Sequence, residues 1–146
     1  MPVHFEITST PNAEDVAALI DGLVAFNDAA AERQNRVPLA VFARKDGKII
    51  GGAYGASQWR WLFINYLWVD SNHRKTGLGT QLIETIERAA RERGCIGSHL
   101  DTFSFQALGF YQRLGYKLHG TLRDYPPGHS RHYLFRQFTE RSGENE

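Results

Sequence analysis

Arg74-Lys75-Thr76-Gly77-Leu78-Gly79-Thr80 joins an apolar run, Leu62 to Val69, to a strongly periodic helical run, Leu78 to Arg93. Glycines between a strand and a helix start leave backbone N–H groups uncovered, with no Cβ to block a bulky anion. Those N–H groups and the positive end of the helix dipole together form a seat for phosphate. Arg74 and Lys75 add positive charge beside it. A Gly-x-Gly loop alone is also an ordinary helix start, so its meaning is decided by residues further along the chain.

Upstream, Trp59 to Val69 is the longest strand candidate. Strict alternation places Trp59, Trp61, Phe63, Asn65, Leu67 and Val69 on one face and Leu62, Ile64, Tyr66 and Trp68 on the other. Both faces are mostly apolar, which predicts a central strand covered on both sides. Downstream, the helix buries Leu78, Leu82, Ile83, Ile86, Ala89 and Ala90, exposes Glu84–Arg88 and Glu87–Arg91 as solvated i,i+4 pairs, and ends at Gly94.

The remaining elements are read from turn and period signals. Val3 to Thr8 reads as a first strand. Thr10-Pro11-Asn12 starts a helix whose stripe of Val16, Leu19, Ile20, Leu23 and Val24 is expected to be buried. Leu39 to Arg44 and Ile49 to Ala56 form a hairpin around Asp46-Gly47, with Gly51, Gly52 and Gly55 pointing to bulges or close packing. Ser98 to Phe103 is a short strand, Gln106 to Leu114 a short helix, and Tyr116 to Leu122 with Arg131 to Phe138 a final hairpin. The class is α/β, with one domain over residues 1–138 and a polar, frayed tail over 139–146.

Bulk properties agree with this and exclude other classes. The chain of 146 residues is 42% hydrophobic and 23% charged, the balance of an ordinary globular domain. A net charge of +1 gives no global attraction for nucleic acid or an anionic membrane, so neither is an expected partner. The lone cysteine, Cys95, excludes an internal disulfide, and no apolar run approaches the roughly 20 residues of a membrane span. No signal peptide is visible, and a cytoplasmic location is expected. His99, His119, His129 and His132 lack companions at ligand spacing, so no metal is expected.

The pattern Arg-x-x-Gly-x-Gly after a strand ending Leu-x-Val resembles the pyrophosphate loop of the GNAT family of N-acetyltransferases. Ser104-Phe105-Gln106-Ala107-Leu108-Gly109-Phe110-Tyr111-Gln112-Arg113-Leu114-Gly115-Tyr116 is similar to that family's Asn-x-x-Ala-x-x-Phe-Tyr-x-x-x-Gly-Phe segment. Together the two span Leu67 to Tyr116. The resemblance implies a mixed, mostly antiparallel sheet of six to seven strands with flanking helices, splayed between the family's fourth and fifth strands. It also implies acetyl-CoA as co-substrate. Leu67, Trp68 and Val69 would bond the pantetheine arm. Arg74, Lys75, Thr76, Gly77, Leu78, Gly79 and Thr80 would hold the pyrophosphate, with Ser104 and Phe110 lining the cofactor. Direct attack by an amine would form an oxyanion, stabilised by backbone N–H groups near Trp68 and Val69.

Tyr111 matches the family tyrosine near the leaving sulfur, and a phenol can donate a proton there. Two departures stand out. Ser104 replaces the usual asparagine, and Arg60 to Val69 contains no carboxylate to serve as base. His99 and Asp101, two apart on one strand face, are the substitute candidates for the base, set against a plain surface pair. Asn65, Tyr125 and His129 are candidates for contact with the acceptor, the last two in the loop before the final strand. The function expected is N-acetyl transfer to a small-molecule or peptide amine. A CoA-binding regulatory module without turnover, and acetylation of a macromolecule, remain alternatives. Homodimerisation is left open.

Overall fold

The structure, a computed structural model, describes residues 1–139, so the expected frayed tail lies outside the described residues from position 140 onward. The chain forms two compact units, Met1–Gln34 and the remainder from Asn35.

In the first unit, helix α1 (Ala13–Ala30) starts where the Asn12 side chain accepts the Glu14 N–H at 2.7 Å. The apolar stripe does not find cover here. Leu19 is 74% exposed, and Ile20 and Leu23 are also open. A single helix has no second layer of its own against which to lay such a stripe. Residues 3–8 form no strand, against expectation, because their backbone makes no ladder with a partner strand.

The second unit is a six-stranded sheet of β1 (Val37–Lys45), β2 (Lys48–Gln58), β3 (Trp61–Val69), β4 (Gly97–Phe103), β5 (Lys117–Arg123) and β6 (Ser130–Gln137). The order is β1-β2-β3-β4-β6-β5, with β3 and β4 parallel and every other pair antiparallel. The Asp46-Gly47 turn has positive φ at both residues, as a two-residue hairpin turn requires. Trp59 and Arg60 also lie at positive φ and form the turn between β2 and β3, so that strand begins at Trp61 rather than Trp59.

The core lies between this sheet and helix α2 (Leu78–Glu92). Leu62, Ile64, Leu100 and Leu134 from the strands meet Ile83, Ile86 and Ala90 from the helix. The expected alternation along β3 breaks at Asn65. Tyr54 pairs with Tyr66 but Gly55 pairs with Ile64, which leaves Asn65 as an extra residue, a β-bulge. Gly55 permits it: a Cβ there would stand only 1.9 Å from the Phe63 carbonyl oxygen. Beyond the bulge the faces swap. Leu67 packs toward the core, while Tyr66 is 70% and Trp68 51% exposed, so this half of the strand is not covered on both sides.

Glu87 corrects another expectation. It is only 5% exposed, accepting a hydrogen bond from the Tyr116 hydroxyl at 2.6 Å and pairing with Arg136. The Tyr116 oxygen in turn meets the Ser98 hydroxyl at 2.9 Å, which is left to donate to it. This buried network ties α2 to β4 and β6. Both burial and the adjacent Glu87 carboxylate push the Tyr116 phenol well above its ordinary value.

Candidate active site

Strands β3 and β4 part company halfway along. Their parallel pairing runs only from Trp61–Gly97 to Ile64–Leu100. Past that point Asn65–Val69 and Asp101–Phe103 diverge, so the β4-facing edge of β3 keeps backbone groups without a strand partner. The splay expected from the sequence is therefore present. A cleft of about 950 Å³ opens at it, lined by Asn65–Val69, the glycine loop, Asp101 and Thr102, and the start of helix α3 (Leu108–Arg113).

At one end of the cleft, α2 begins without a side-chain cap. The N–H groups of Leu78, Gly79 and Thr80 thus have no intrahelical acceptor; the first helical bond is Gln81 N–H to Gly77 O at 3.1 Å. Gly77 sits at φ +86° with open space where a Cβ would stand, and Lys75 also has positive φ. Open amides, a helix dipole and an uncovered glycine fit a diphosphate group. Arg74 folds back so that its Nε–H donates to Val69 O at 3.1 Å, which fixes its guanidinium beside this seat. Thr76 instead donates to the His73 carbonyl at 2.6 Å and does not line the cleft. His73 does line it, held by Asp70 at 3.3 Å; its place in the same loop was the available signal.

Along the far wall, Phe110 packs edge-on against Tyr111. Tyr111 is 8% exposed, and burial, aided by the charge of Asp101, pushes its phenol up to about 12. The hydroxyl is thus a proton donor throughout the neutral range. Gln106 shapes the turn into α3, its Oε1 accepting the Phe103 N–H at 2.8 Å and the Thr102 hydroxyl at 3.1 Å. Ser104 faces elsewhere: its hydroxyl accepts the Ser130 N–H at 3.0 Å and meets His129 Nδ1 at 3.3 Å, closing β4 onto β6.

His99 and Asp101 share a face of β4 but not a position relative to the splay. His99 pairs with Phe63, before the strands separate, and its ring packs between Trp61 and Phe63. Burial, reinforced by nearby His119 and opposed by Asp101, holds its pKa below 6.5. It does not line the cleft. Asp101, the first residue past the last pair, does. Its Oδ2 accepts from Arg131 Nη2 at 2.8 Å. Arg131, which the sequence placed at the start of the final strand without singling it out for the site, lies among the rings of Phe103, Tyr125 and Tyr133, its Cζ 5.7, 5.3 and 5.2 Å from their centroids. Of the acceptor candidates, Asn65 lines the cleft, whereas Tyr125 and His129 stand beside it against Arg131 and Phe105.

The sequence model of the acetyltransferase (GNAT) family matches residues 6–116. A blasticidin-S acetyltransferase of Streptomyces morookaense is 48% identical over 105 residues, covering 68% of this chain and 77% of that protein. An acetyltransferase of Agrobacterium fabrum is 31% identical, covering 93% of this chain and all of the other. Among solved structures, that of an acetyltransferase from Bacillus cereus superposes with a TM-score of 0.84 at 31% identity, covering 91% of this chain and 98% of that one.

Proposed function

Because the chain belongs to the GNAT acetyltransferase family, we propose that it transfers the acetyl group of acetyl-CoA to a primary amine of a small molecule. The observation that carries this reading is the coincidence of two features in one cleft: the uncapped start of α2 and the splay of β3 from β4. We take residues 1–138 as one domain, since the family match runs across the boundary between the two units.

Acetyl-CoA supplies an acetyl group activated as a thioester. The amides of Leu78, Gly79 and Thr80, with Arg74 and Lys75, hold its diphosphate. The unpaired edge of Leu67–Val69 supplies the strand-like backbone bonds for the pantetheine arm and N–H donors for developing negative charge. The Tyr111 hydroxyl gives its proton to the departing sulfur. Asp101, the carboxylate at the opening, accepts the proton of the amine, directly or through water. The name of the Streptomyces relative supports a small-molecule acceptor.

The test is a thermal-shift titration with acetyl-CoA followed by thiol release across a panel of amines. A rise in Tm together with amine-dependent thiol release is the expected result. A rise in Tm with no release for any amine would instead favour a cofactor-binding module without turnover.

A further inference from the structure

Arg131 carries a buried donor without a use. Its Nη2 is committed to Asp101 at 2.8 Å, yet its Nε is buried with no hydrogen-bond partner among the described residues. An unmatched buried N–H on a charged group is costly, and a native fold seldom keeps one idle. Register places Arg131 directly opposite Phe103, and Tyr133 directly opposite Asp101. Paired residues share a face of the sheet, so Asp101, Phe103, Arg131 and Tyr133 form one cluster on the face opposite α2. Tyr125 closes it from the loop, its ring 5.9 Å from that of Phe103. Asp101 reaches from this cluster into the cleft.

The chemistry of the cluster selects among occupants. The Asp101–Arg131 pair is internally neutralised, so it offers little net attraction for a second free ion. Asp101 keeps the guanidinium charged, and a charged N–H is a strong donor toward oxygen. Three aromatic rings around it favour a flat group that can stack. Resting on the reading above, we propose that Arg131, boxed by Phe103, Tyr125 and Tyr133, is the specificity-determining residue for the acceptor. It would receive the carbonyl oxygen of a planar carboxamide group carried by the same molecule as the reacting amine.

The experiment compares acceptors of equal shape that differ only in that group: glycinamide with isobutylamine, β-alaninamide with isoamylamine, and γ-aminobutyramide with isohexylamine. The ratio of kcat/KM within each pair is measured for the parent and for Arg131→Lys, which keeps a cation but lacks the guanidinium Nε–H. Differences in amine basicity cancel when the parent's ratio is divided by the variant's. For the pair whose length fits, that quotient is expected to be about 10-fold to 100-fold, the size of one charge-assisted hydrogen bond. A quotient near one for all three pairs overturns the proposal.

A second arm needs neither turnover nor a folded variant. Calorimetry on the parent compares the N-acetyl products of the same pairs. Tighter binding of a carboxamide product by about 10-fold supports the site, and equal binding across all pairs overturns it. Absence of thiol release with every amine would overturn the transferase reading instead, with the calorimetric arm still deciding what Arg131 binds.

Discussion

The ring of Phe110 lies so close to Gly79 that a methyl group on the glycine would stand 3.3 Å from the ring's Cζ. The loop that opens α2 and the helix that carries Tyr111 are therefore in register through one glycine. Gly79→Asp would crowd Phe110 and put a carboxylate where a diphosphate is expected. The stabilisation by acetyl-CoA, which scales as RT ln(1 + [L]/Kd), should disappear in this variant. Gly79→Ala needs Phe110 to yield only slightly and should keep part of the shift. Melting curves at matched ligand concentration check both, and an undiminished shift for Gly79→Asp would remove the phosphate seat from the site.

Tyr111→Phe deletes a hydroxyl and little else. Acetyl-CoA affinity should hold while kcat falls by about 10²–10⁴-fold, the usual range for lost general acid catalysis. Single-turnover kinetics with one confirmed amine measure the chemical step directly. A loss of only a few-fold would make Tyr111 a packing residue.

The positions of His99 and Asp101 along the splay separate two candidates that look alike in sequence. Asp101→Asn should lower kcat/KM by about 10²–10⁴-fold. His99→Ala should act through stability: a ring held neutral by burial makes the fold weaker as pH drops below about 6.5, where the unfolded chain takes up a proton that the native state resists. Removing His99 should reduce that slope in a denaturation series run from pH 7 downward. If instead the kcat/KM profile of His99→Ala shifts while that of Asp101→Asn overlays the parent, the assignment of the base is reversed.

Alkali should weaken the fold through two buried phenols. Tyr111 and Tyr116 both titrate above the ordinary value of about 10. Between pH 10 and about 12 the unfolded chain loses protons that the native state retains, so stability falls as pH rises through that window. Tyr116→Phe should lessen the fall. At neutral pH it should cost about 1–3 kcal/mol, because it strips Glu87 and Ser98 of a buried partner. Urea denaturation at pH 7 and pH 11 measures both effects.

Local features of the chain were legible; those that depend on a distant partner were not. The glycine loop, the Asp46-Gly47 turn and the end of α2 at Gly94 depend on neighbours in sequence, and each stands where its residues put it. Glu87 could not be read this way. Its spacing from Arg91 looks like any solvated helix pair, and what buries it are Tyr116 and Arg136, 29 and 49 residues away. The shared face of His99 and Asp101 is set by period two, but which of them reaches the cleft depends on where β4 leaves β3. Arg131 gave no local sign, since its partners come from β4 and from the turn before its own strand.

The extra residue at Asn65 turns β3 into a strand whose inward parity changes midway: even numbers point to α2 up to Ile64, odd numbers from Leu67 onward. Straightening the bulge with Asn65 kept in the ladder would leave composition and length untouched while sending Tyr66 and Trp68 inward and Leu67 outward. A graft of this strand onto another sheet must therefore bring Gly55's bare backbone with it, or the wall of the cleft is installed inside out.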